Sequence, residues 1–139
     1  MLHRGGCHCG ALRYRLETAL PLAQLPLRAC QCSFCRHHGA LSTSDPQGRA
    51  RLEFREPEQL IRYRFGLKTA DFLICARCGV YVGATIEDGS RAWAILNANT
   101  LDEAAQLTQA AADMNYDGED ERARTARRPA RWSPVATGP

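Results

Sequence analysis

The sequence predicts a small, mainly β domain, and three observations carry that reading. Apolar and charged residues alternate in short runs, as in "ALRYRLE" at 11–17, where Leu12, Tyr14 and Leu16 share one face and Arg13, Arg15 and Glu17 the other. Turn residues interrupt these runs, most clearly in "EDGS" at 87–90, whose Asp-Gly pair is a hairpin signal. Seven cysteines stand in three tight clusters, at 7–9, 30–35 and 75–78, where they can pin distant segments of a small sheet together.

Each element follows in turn. Residues 11–17 form a half-buried strand. Pro21 and Pro26 confine "ALPLAQLPLRA" (19–29) to a loop or an edge. "SFCRHHG" (33–39) makes one helical turn, with Ser33 near its start and Gly39 closing it. "GALSTS" (39–44) is a short strand, and Leu52 and Phe54 lie between turn signals in the stretch 44–59. "LIRYRF" (60–65) and "ADFLI" (70–74) are strands around a turn at Gly66, and residues 80–96 form a hairpin. "TLDE" from Thr100 fits a capping box and predicts a helix through Leu101, Ala104, Ala105, Leu107 and Ala111. The expected division is a domain at 1–114 and a charged tail at 115–139, in which four acids precede five arginines and then Trp132. Trp132 is the tail's candidate for packing on the domain.

Composition narrows the function. No apolar run approaches the roughly 20 residues that span a bilayer, and the first residues lack the apolar stretch of a secretory signal. The expected location is cytoplasmic, where thiols stay reduced. A net charge of +3, with acidic and basic residues interspersed outside the tail, argues against nucleic acid as a partner.

Disulfides suit neither that compartment nor the short span within each cysteine pair. Inert buried thiols would be scattered along the chain. Cys-x-x-Cys-Gly and Cys-x-Cys instead aim two thiolates at one point, with glycine letting the backbone close around sulfur. Seven ligands divide as four plus three. Cys7 and Cys9 with Cys75 and Cys78 make a closed site of the structural kind. Cys30, Cys32 and Cys35 are left as a compact set with a fourth position open to water or a substrate thiol. His37 or His38 is the alternative occupant of that position, which would make the second site structural too. Arg36 is a candidate partner for a substrate carboxylate, His8 should point away from the metal, and His3 has no assigned role.

The order "GGCHCGALRYRL", "CQCSFCR", "FLICARCGVYVG" resembles the glutathione-dependent formaldehyde-activating family, also called the CENP-V/GFA domain, from Gly5 to about Asn99. The resemblance implies an Mss4-like fold of small antiparallel sheets with one or two short helices. It also implies two zinc ions per chain: a structural one on Cys7, Cys9, Cys75 and Cys78, and a catalytic one on Cys30, Cys32 and Cys35. The implied partners are a small thiol such as glutathione and an aldehyde such as formaldehyde. The implied reaction makes or cleaves S-hydroxymethylglutathione, a carbon–sulfur lyase chemistry. The competing reading is a zinc-stabilised protein-interaction module without catalysis, because fold alone does not fix function. An enzyme needs the second site open, whereas a structural module gains only by closing it.

Overall fold

Strands Leu2–Gly6 (β1), Leu12–Glu17 (β2) and Arg49–Phe54 (β5) form an antiparallel three-stranded sheet in the order β1-β2-β5. Alternation along β2 sends Leu12, Tyr14 and Leu16 into the core, all at 1% exposure or less, while Arg15 and Glu17 reach ion-pair partners on β5. The computed structural model describes residues 1–136.

The larger sheet is built from short pieces. Arg28–Cys30 (β3), Ser42–Thr43 (β4), Leu60–Tyr63 (β6), Asp71–Cys75 (β7), Tyr81–Asp88 (β8), Arg91–Asn97 (β9) and Ala112–Met114 (β10) lie in the order β10-β3-β4-β9-β8-β7-β6. Only the β10–β3 pairing is parallel within that path. Ser133–Pro134 (β11) joins β9 at Trp93 and Ala94, beside the point where β4 pairs with Leu96 and Asn97. Helix Ser33–His38 (α1) follows β3, and Gly39 ends it in the left-handed conformation. The main core lies between the sheets, where Leu12, Tyr14 and Leu16 meet Leu73, Val82 and Leu96. No helix among the described residues is long and apolar enough to cross a membrane. The architecture is mainly β and Mss4-like, as expected.

Two local expectations are corrected. The helix from Thr100 does not form; short 3-10 turns at Ala98–Thr100 and Ala104–Gln106 stand in its place. Tertiary partners have taken the groups a capping box needs. The Thr100 hydroxyl donates to Asn97 O (2.6 Å) and lies 2.7 Å from the buried Tyr14 hydroxyl. Leu101 bridges to Gly5, Asp102 N–H donates to Arg4 O, and the Asp102 carboxylate binds Arg13 through two hydrogen bonds. An alanine-rich face offered too little burial to compete.

The hairpin turn falls one residue later than its Asp-Gly signal suggests. Asp88 pairs with Arg91, so Gly89 and Ser90 are the central residues, and Gly89 has φ +63°. The charged tail expected after Asn115 contains regular structure. Glu121–Arg131 is a helix (α2), capped by Asp120, whose side chain accepts from Ala123 N–H. Glu119 clasps Arg124 and Arg127 of that helix, and the Arg127 guanidinium lies 3.5 Å over the Tyr116 ring. Pro129 sits near the C-terminal end of α2, and Trp132 then buries itself against Trp93, Ala70 and Ala84.

Candidate metal centre

Seven cysteines separate in space as they do in sequence. The sulfurs of Cys7, Cys9, Cys75 and Cys78 lie within 4.8 Å of one another, and those of Cys30, Cys32 and Cys35 do the same. No histidine or carboxylate joins either group among the described residues.

Two turns build the four-thiol group. Cys7 and Cys9 occupy the turn between β1 and β2, and Gly10 closes it at φ +86°. Cys75 ends β7, and Gly79 closes the Cys75–Cys78 turn at φ +77° with its N–H on Cys75 O (2.8 Å). A side chain at either glycine would have to adopt a backbone that L residues rarely tolerate. The Cys7–Cys9 and Cys9–Cys75 sulfur separations are 3.7 and 3.6 Å. A disulfide would need about 2.05 Å. A tetrahedral ion with metal–sulfur bonds of about 2.3 Å places its sulfurs about 3.8 Å apart. The donor set therefore fits a zinc ion. Leu12 N–H donates to Cys7 Sγ (3.2 Å). Burial raises the Cys75 thiol to about 11; at Cys78 burial is outweighed by the Cys9 and Val80 N–H groups, which hold it at about 6.

The three-thiol group is made by one short segment. β3 delivers Cys30, and Cys32 caps α1 by accepting from Cys35 N–H (3.4 Å). Hydrogen bonds from the Cys30 and Cys35 thiols hold Cys32 far below its ordinary value, while contacts with Cys30 and Cys32 raise Cys35. One sulfur is thus predisposed to be a thiolate, the form that binds metal. Three soft sulfurs also suit zinc, and the set supplies three ligands where a closed structural site has four.

The nearby polar residues resolve differently from their sequence neighbours. His37 Nδ1 lies 2.6 Å from Ser33 O, and His38 packs at a tilt against Phe34 and Tyr81. Arg36 donates to Gln31 O and is exposed; it is absent from the cavity onto which the three cysteines open. His8 is exposed on its turn, and His3 is buried with Nε2 against Leu20 O.

That cavity encloses about 100 Å³ and takes its guanidinium groups from elsewhere: Arg28 on β3, and Arg124, Arg127 and Arg128 on α2. Phe72, Tyr81 and Trp132 supply aromatic surface. Burial and then the neighbouring cysteines raise the Tyr81 phenol well above its ordinary value, so it keeps its proton. Burial lowers Arg128 to about 10, which still leaves it charged at neutral pH. Sequence reasoning missed these arginines. Arg28 stands two residues before Cys30, but the α2 arginines resemble a solvated charge run until the helix is in place.

Residues 2–116 match the sequence model of the family described as glutathione-dependent formaldehyde-activating enzyme. The chain is also similar to a Rhodobacter sphaeroides protein of known crystal structure. The two share 27% identity at a TM-score of 0.52, over 86% of this chain and 92% of that one. α2 and Trp132 lie beyond the matched residues. With most of its length matched, the chain belongs to the glutathione-dependent formaldehyde-activating enzyme family.

Proposed function

We propose that the protein is a zinc-dependent carbon–sulfur lyase that makes or cleaves a thiol–aldehyde adduct, with Cys7, Cys9, Cys75 and Cys78 holding a structural ion. Cys30, Cys32 and Cys35 hold the second ion, which supplies acidification of a substrate thiol when bound. The observation that carries this reading is the contrast between the two groups. Four sulfurs from two turns come within 4.8 Å of one another, whereas three open onto a cavity with no fourth protein ligand among the described residues.

In the condensing direction the thiol sulfur attacks the aldehyde carbon. The thiol gives up its proton, a carbon–sulfur bond forms, the carbonyl π pair moves to oxygen, and oxygen takes a proton in place of the one sulfur lost. Cleavage reverses each change. No electrons are gained or lost, so no redox partner is needed. The aromatic lining excludes bulk water from the adduct, and the protonated Tyr81 phenol is a donor on the same wall. Seven free thiols are suited to a reducing compartment such as the cytoplasm.

Cys32→Ser tests the assignment. The three ligands share one segment and link no distant strands, so the variant should fold and keep one of two zinc ions. Thiol should perturb the absorption of second-site cobalt in the wild type, and that thiol-dependent signal should be missing from the variant. The double variant His37→Ala, His38→Ala should keep both ions. Full second-site metal in Cys32→Ser, or its loss in the histidine variant, would refute this ligand set.

A further inference from the structure

Two guanidinium groups in the cavity lack a counter-charge. Arg128 is 7% exposed, its Nη1 donates to Thr69 Oγ1 (2.6 Å), and its Nε is buried without a partner. Arg28 donates to Ser44 Oγ, and its Nε is likewise buried and unpartnered. Neither lies within ion-pair distance of a carboxylate among the described residues. Glu119 is already committed to Arg124 and Arg127, and Asp117 is exposed where it lines the cavity. A buried charge left unpaired is costly, and a buried guanidinium N–H without an acceptor adds to that cost.

The metal end of the cavity balances only part of this charge. Three thiolates around a divalent ion leave one negative charge, whereas the two guanidiniums bring two positive ones. A substrate thiolate on the ion would make up the difference in charge, but among the described residues neither guanidinium has a carboxylate within ion-pair distance to bond it directly. A carboxylate matches the planar donor fork of arginine. The enclosed volume of about 100 Å³ is well below the roughly 300–1,000 Å³ of pockets that engulf drug-sized ligands. Sulfur and carboxylate must therefore lie close together in the enclosed part of the ligand.

We infer that Arg28 and Arg128 are the carboxylate-recognising residues of this cavity, and that its thiol substrate is a mercapto acid with the two groups a few bonds apart. The inference rests on the three-thiol group being an open, thiol-binding metal site. Arg28 comes from the strand that carries Cys30, and Arg128 from the helix across the cavity, so a ligand held by both is oriented with respect to the sulfurs.

The test titrates cobalt-loaded protein with 3-mercaptopropionate and with its methyl ester, which keeps the thiol and removes the charge. Wild type should bind the acid at least ten-fold more tightly than the ester. Arg28→Gln and Arg128→Gln should each reduce that preference to within about two-fold while leaving ester affinity and metal content unchanged. Equal binding of acid and ester by wild type would overturn the inference, leaving the guanidiniums as counter-charges to the thiolates and the thiol site intact. A preference that survives in both variants would also overturn it. If neither compound perturbs the cobalt spectrum, the thiol-site reading falls and takes the inference with it. The wild-type comparison decides the matter even if a variant fails to fold.

Discussion

Replacing Trp132 by alanine is expected to destabilise the whole domain, although the residue follows a charged helix near the end of the chain. Trp132 is 4% exposed and packs in one cluster with Trp93, Ala70 and Ala84. A buried tryptophan removes about 150–250 Å² from water. At about 25 cal/mol per Å² of apolar surface that is about 4–6 kcal/mol, an upper bound because an unfolded chain already hides some of that surface. Large-to-small substitutions of buried tryptophan cost about 3–5 kcal/mol, in line with that bound. With an unfolding entropy of about 2.1 cal/mol/K per residue, such a loss lowers the melting temperature of a 139-residue chain by about 10–17 °C. Thermal unfolding of the zinc-loaded protein by circular dichroism measures it. Emission from Trp93, the remaining tryptophan, should shift to the red as its neighbour disappears. A melting temperature within about 3 °C of wild type, with unchanged Trp93 emission, would refute the docking of α2 described above.

Cys75→Ala should leave the chain largely unfolded at 25 °C. Structural zinc contributes about 10–16 kcal/mol in small metal-folded domains, comparable to or larger than the 5–15 kcal/mol total of a typical domain. The link also joins Cys9 to a residue 66 positions away, and a cooperative melt near the wild-type temperature would refute it. The Glu119 carboxyl is lowered, mainly by its hydrogen bonds with Arg127, so its stabilising contribution is complete above the unfolded carboxyl value of about 4.3 and fades as pH falls through the lower folded value. Glu119→Gln should melt below wild type at pH 7, with the gap closing on acidification; a gap that is constant from pH 7 to pH 3 would contradict the ion-pair account.

The strands were legible because their signal is local. Leu12, Tyr14 and Leu16 alternate with charges, and one buried face suffices to fix their register. Both thiol groups were legible for the same reason, since each cluster carries its glycine or its helix with it. Long-range partners were not. The capping box at Thr100 was a valid local signal, overridden by Tyr14, Arg13 and Gly5, which are adjacent only once β1 and β2 have paired. α2 was hidden because its inward residues are Arg124, Arg127, Arg128 and Pro129, and its one large apolar anchor, Trp132, follows the helix instead of repeating along it. The cationic wall of the cavity inherits that invisibility.

The cavity's two ends are written far apart in the chain, and this sets an order of assembly. Cys30, Cys32 and Cys35 leave the ribosome long before Arg124, Arg127 and Arg128. Until α2 arrives, the three sulfurs face open solvent on the side it later covers. A metal ion can therefore be captured from a broad approach, and the last helix then narrows the opening around it. Ions that would pass the unfinished mouth freely meet a finished one lined with guanidinium groups, which repels free cations in both directions. Metal acquisition during synthesis and metal exchange in the mature protein are thus expected to differ in rate, for a reason that lies in the order of the sequence.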